Sequence, residues 1–131
     1  MNGQFIRKFG SNGKRNGELD RPYGIGLLSN RNIVVGEFGN NRISIFDQEG
    51  TFIKIIGDGE INHALHLFID SDDNILIADQ MNRRIAIYSS ETGDLLKSIS
   101  TDDSVGYSFG ITMDHDGRII VSGGRHKVAI Y

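Results

Sequence analysis

Short apolar runs, each closed by Asn, Asp, Gly or a basic residue, recur along this chain with no helical spacing between them. Ile33-Val34-Val35, Ile75-Leu76-Ile77 and Ile119-Ile120-Val121 each follow a turn built on Asn or Arg. Ile43-Ser44-Ile45-Phe46, Ile85-Ala86-Ile87-Tyr88 and Val128-Ala129-Ile130-Tyr131 each follow a basic residue. β-branched and aromatic runs this short, bounded by turn formers, predict strands of an antiparallel all-β array.

The runs repeat in phase. Segments starting at Gly24, His66 and Gly110 align with one another. Arg42, Arg84 and Lys127 mark one position of the repeat, and Asp70 and Asp114 mark another. The period is about 43 residues, the length of one four-stranded blade of a β-propeller. A fourth strand follows in the first two units, Phe52–Ile56 after Gly50 and Leu95–Ile99 after Gly93. The third unit stops at Tyr131, before any fourth strand. Its pattern appears instead at the other end of the chain, in Gly3-Gln4-Phe5-Ile6-Arg7-Lys8-Phe9-Gly10. Residues 1–131 therefore read as one propeller unit: closing outer strand 1–10, blade 1 at 24–57, blade 2 at 66–100 and blade 3 at 110–131. Residues 3–10 of another copy complete blade 3 in this reading. Rings need about four to eight blades, so three blades predict half of a six-bladed ring, closed by a homodimer.

The stretch Phe9–Ile25, the run Asn74-Ile75-Leu76-Ile77-Ala78-Asp79-Gln80-Met81-Asn82-Arg83-Arg84 and Gly39-Asn40-Asn41-Arg42-Ile43 resemble NHL repeats, as in tripartite-motif NHL proteins. The resemblance covers essentially the whole chain. It implies a β-propeller, and it implies that Arg42, Asp79, Arg84 and Lys127 are structural, joining neighbouring strands or blades through charge-assisted hydrogen bonds. The first copy carries Gly36-Glu37 where the second has Ala78-Asp79, and the third has Ser122-Gly123-Gly124. Relatives of this type include proteins that bind single-stranded RNA on the top face, the one that carries the loops between blades and those between the second and third strands of each blade. A ubiquitin-ligase role would come from other parts of a longer parent chain of the tripartite-motif kind.

Composition adds limits. The chain has 17 Gly, one Pro and no Cys, so a disulfide framework and a thiolate metal site are excluded. The net charge of −3 gives no overall pull on nucleic acid. No stretch is long and apolar enough to span a membrane, and the first ten residues lack the apolar run of a signal peptide. The cytoplasm is the default location.

Ligands of propellers meet their loops. The top face is predicted to present Lys14, Arg15, Arg21, Tyr23, Arg83, Tyr107 and Arg125, with Glu18, Asp20, Glu37, Asp58, Glu60, Asp79, Asp102 and Asp103 interspersed. That mixture reads as a scaffold for a protein or peptide partner. Binding of single-stranded RNA through Lys14, Arg15 and Arg21 is the alternative. Asp70-Ser71-Asp72-Asp73-Asn74 has the opening of a calcium loop but lacks its later Gly and Glu, so it reads as a turn. His63 and His66 have no converging third ligand by spacing. No catalytic residue, metal ligand or cofactor is assigned, and the chain is read as a non-enzyme.

Overall fold

The computed structural model describes residues 2–131. Among the described residues eleven strands form three antiparallel sheets, each hydrogen-bonded in chain order. Blade 1 comprises β1 (Pro22–Leu27), β2 (Ile33–Glu37), β3 (Arg42–Phe46) and β4 (Phe52–Ile56). Blade 2 comprises β5 (Ala64–Ile69), β6 (Asn74–Asp79), β7 (Arg84–Ser89) and β8 (Leu95–Ser100). Blade 3 has β9 (Ser108–Met113), β10 (Ile119–Gly123) and β11 (Lys127–Ile130). The innermost strands β1, β5 and β9 lie side by side, so the sheets are stacked face to face around a common inner edge. Each blade begins a few residues before its aligned repeat, because the inner strand takes in the end of the preceding loop.

Two apolar layers hold the stack. Val34, Ile43, Ile45 and Ile56 of blade 1 pack on Leu67, Ile75, Ile77, Ala86 and Tyr88 of blade 2. Leu76 and Ile85 of blade 2 pack on Ile111, Ile119 and Val121 of blade 3. Alternation along each strand sends successive side chains to opposite faces, and both faces of blade 2 are buried. Its strands therefore read as continuous apolar runs. Gly26 lets the inner strands meet closely: a Cβ there would stand 2.7 Å from Ile69 and 2.8 Å from Leu67.

Aspartates close the turns, as their spacing in the repeat suggests. Asp70 Oδ1 accepts from the backbone N–H of Asp72 and of Asn74 at 2.9 and 2.8 Å, and Asp114 Oδ1 accepts from Asp116 and Arg118, both at 2.9 Å. Blades 1 and 2 are also tied by Ser29, whose hydroxyl and N–H both donate to Asp73. These bonds hold the Asp73 carboxyl below its ordinary value of 3.8. Since the folded-state value is the lower one, the contribution to stability is present above the unfolded value and is lost as pH falls through the folded one. Ser29→Ala should move the Asp73 titration midpoint, read by NMR, up towards 3.8. An unmoved midpoint would show that the hydroxyl does not set it.

Residues 2–10 form no strand in the single chain and make no backbone–backbone hydrogen bond among the described residues. Met1 of the stretch read as the closing strand lies outside the described residues.

Candidate functional site

The top face is assembled by one device, used twice. Glu37 ends β2 and Arg42 begins β3 directly across from it. Arg42 Nε donates to Glu37 Oε2 at 2.9 Å, and both groups are buried. The rest of the guanidinium donates to backbone carbonyls of the loop leading into the blade: Lys14 at 2.8 Å, and Arg15 and Glu18 at 3.1 Å each. Asn40 Nδ2 bridges Glu37 Oε1 and the Gly13 carbonyl at 2.7 and 2.8 Å.

In blade 2 the same parts recur. Arg84 Nε donates to Asp79 Oδ2 at 2.6 Å and a second guanidinium nitrogen to the Glu60 carbonyl at 3.2 Å, while Asn82 reaches both Asp79 and that carbonyl at 2.9 Å. Burial works against the charge of Arg84, but the hydrogen bond and field of Asp79 outweigh it and raise its pKa. The acid, Asn and Arg thus clamp the entering loop to its blade. In blade 3 Lys127 stands opposite Gly123, is exposed, and makes no ion pair among the described residues.

The seven top-face residues fall into three groups. Arg83, Tyr107 and Arg125 line one cavity of about 300 Å³ with Thr101, Asp102, Asp103, Gly106 and Gly124. It opens between blades 2 and 3. Arg83 lies over the Tyr107 ring, 5.8 Å from its centroid, and pairs with Asp103 at 3.0 Å. Arg125 has no ion pair among the described residues.

Arg21 and Tyr23 belong to a second cluster. Arg21 sits 5.3 Å from the Phe38 centroid, Tyr23 is tilted against Phe38 at 5.4 Å, and Phe38 stacks on His63 at 4.3 Å and 6°. Arg21 is also 3.5 Å from Asp20. Lys14 and Arg15, the third group, are exposed on the loop that Arg42 clamps, and Glu18 accepts from the Arg15 N–H at 2.9 Å. Sequence reasoning missed Phe38, and it missed the part that Asn40 and Asn82 take in the clamp. The only signal for the asparagines was their place just before the repeated Arg.

The histidines do not converge. His63 is in the aromatic stack, and His66 on the inner strand β5 accepts from the Ile111 N–H at 3.3 Å.

Residues 12–119 match the family described as the 6-bladed beta-propeller. The chain belongs to that family. It is similar to two NHL-repeat proteins, which makes its propeller one of the NHL type. It is 29% identical to Protein brain tumor of Drosophila melanogaster over 121 residues, 87% of this chain. It is 43% identical to Protein lin-41 of Caenorhabditis elegans over 49 residues, 37% of this chain. The chain spans 12% of the first relative's length and 4% of the second's. Among solved structures, it superposes on a catalytically inactive virginiamycin B lyase from Staphylococcus aureus with a TM-score of 0.70 at 19% identity, covering 92% of this chain and 43% of that one. The WD40 propeller domain of Doa1 superposes with a TM-score of 0.68 at 17% identity, covering 81% and 34%. At such identities these two likenesses speak for the fold alone.

Proposed function

We propose that this chain is a non-enzymatic binding platform, working as a homodimer, whose top face takes an acidic residue of a protein or peptide partner in the cavity between blades 2 and 3. The observation that carries the reading is the pairing of a free guanidinium, Arg125, with an exposed aromatic ring, Tyr107, held under Arg83. A guanidinium offers a planar fork to a carboxylate, and a tyrosine ring adds contact area at little entropic cost. The cavity is at the small end of ligand pockets, the size of one or two side chains. Asp102 and Asp103 on its wall would repel a run of phosphates but can accept N–H groups of a peptide backbone. This favours a peptide over RNA at this position.

Panning a random peptide display library against the chain tests it. Retained peptides should be enriched in Asp or Glu, and Arg125→Glu should weaken their binding at least tenfold without shifting the urea midpoint. No enrichment would overturn the proposal. A random RNA pool retained at low salt, and released by charge reversal at Lys14, Arg15 and Arg21, would transfer the function to the first loop instead.

A further inference from the structure

The two ends of the stack carry unfinished versions of its internal interfaces. Ile25 and Leu27 on the outward face of blade 1 hold the register positions of Leu67 and Ile69 in blade 2 and of Ile111 and Met113 in blade 3. Leu67 and Ile111 are buried in the two apolar layers, yet Ile25 is 72% and Leu27 60% exposed. Val128 and Ile130 of blade 3 hold the positions of Ile43 and Ile45, and of Ile85 and Ile87. They are 67% and 61% exposed where Ile43, Ile45 and Ile85 are fully buried. One end therefore offers the face that blade 1 presents to blade 2, and the other end offers the face that receives it.

Residues 7–10 already occupy the place of an outer strand. Phe9 packs on Phe46, with ring centroids 5.1 Å apart, and its ring fills the space above Gly50. Ile56 of β4 lies in the same way by Tyr88 and above Gly93 of the next blade. Arg7 bonds to Glu49 in the β3–β4 turn, as Lys54 donates to the Glu91 carbonyl in the β7–β8 turn at 2.7 Å. Gly10 and Gly57, which follow, both have positive φ, +93° and +74°. The N-terminal stretch is docked on blade 1 as β4 is docked on blade 2, but without three inner strands beside it. Blade 3 has those three strands, with β11 unpaired on its outer side among the described residues.

We infer that the second copy's residues 5–9 add to β11 as the fourth strand of blade 3, in the register Val128 to Phe9, Ala129 to Lys8 and Ile130 to Arg7, at two identical junctions of a closed ring. This rests on the homodimer reading and specifies how it is built. The register follows from the complete blades. In blade 1 Ile43 faces Ile56, Ser44 faces Ile55 and Ile45 faces Lys54. In blade 2 Ile85 faces Ile99, Ala86 faces Ser98 and Ile87 faces Lys97. Each outer strand thus sets a basic residue, Lys54 or Lys97, opposite an Ile, and Arg7 is the basic residue that falls opposite Ile130. The charge stays at the rim while the stem of the side chain covers the apolar edge. Residues 5–9 form no strand in the single chain because the hydrogen-bonding partner is β11 of the other copy. Two three-bladed halves related by a two-fold axis make the six blades of the family.

The chain has no Cys, so an introduced pair reports the register cleanly. Directly opposed Cβ atoms are about 4.5–5.5 Å apart, close to what a disulfide needs. The unmodified chain should have a solution mass twice the 14.5 kDa of one chain. Mild oxidation of the Lys8→Cys, Ala129→Cys double variant should give a covalent dimer at least tenfold faster than the Lys8→Cys, Ile130→Cys variant, in which the two side chains leave opposite faces. A dimeric mass without that selectivity would overturn the register and leave the homodimer standing. A mass other than the dimer's would overturn both.

Discussion

Arg42→Ala should lower the unfolding free energy by about 3–5 kcal/mol, the usual cost of removing one partner of a buried ion pair. The variant would strand Glu37, which is fully buried, with only the Ser44 hydroxyl, the Asn40 amide and the Asp20 N–H for compensation. It would also free the carbonyls of Lys14, Arg15 and Glu18, so the first loop would loosen as the blade weakened. Arg42→Lys should recover only part of the loss, because an ammonium cannot present the guanidinium fork. Arg84→Ala should cost less, about 1–3 kcal/mol, since Arg84 is less deeply buried than Arg42 and releases one loop carbonyl, that of Glu60, rather than three. Arg125→Ala should stay within about 0.5 kcal/mol, the range of surface changes. Urea denaturation of the three variants decides the order. Equal midpoints for Arg42→Ala and Arg125→Ala would show that the clamp does not carry the blade.

The strands and their period were legible because both are local. Alternation, Asn and Asp turns and the in-phase Arg are written within each repeat, and the three sheets follow them. The clamp was only half legible. Glu37 looked like a departure from Asp79, yet both acids end the second strand of a blade and face an Arg across the ladder. The longer acid meets a guanidinium that also spans a longer loop, so a change of residue conserved the arrangement. Groupings across blade boundaries could not be read. Arg83, Tyr107 and Arg125 come from two turns and a linking loop, and they meet only once blade 3 is rotated onto blade 2. The stack of Phe38 on His63 has the same origin. The pattern of residues 3–10 announced an outer strand, but its seat on Phe46 and Gly50 needed the third dimension.

Gly123→Asp should destabilise the protein by about 1.5 kcal/mol or more, although comparison of the repeats alone would suggest the reverse. The substitution restores an acid opposite Lys127, where Glu37 faces Arg42 and Asp79 faces Arg84. In the third blade, however, that space is taken. A Cβ on Gly123 would stand 2.2 Å from the Val105 carbonyl oxygen and 2.9 Å from its carbonyl carbon, both backbone atoms that cannot rotate away. Val105 is buried among Leu76, Ile85, Ile111 and Val121, and its carbonyl accepts from the Arg125 N–H at 3.2 Å. Blade 3 thus holds its entering loop by the buried Val105, without the ion pair that blade 2 adds to the buried Ile61 of its own loop. Room for the new side chain could come only by lifting residues 101–107. Overpacking costs about 1–3 kcal/mol, and withdrawing a buried Val adds about 1.5 kcal/mol or more. The gain from an exposed Asp–Lys pair is at most about 1 kcal/mol, so the loss wins. Lifting the loop would also separate Tyr107 from Arg83, and acidic peptides should be lost together with stability. The urea midpoint and peptide retention of the variant, measured side by side, check both consequences. A midpoint equal to that of the unmodified chain would show that the loop yields freely and that Val105 does not anchor it.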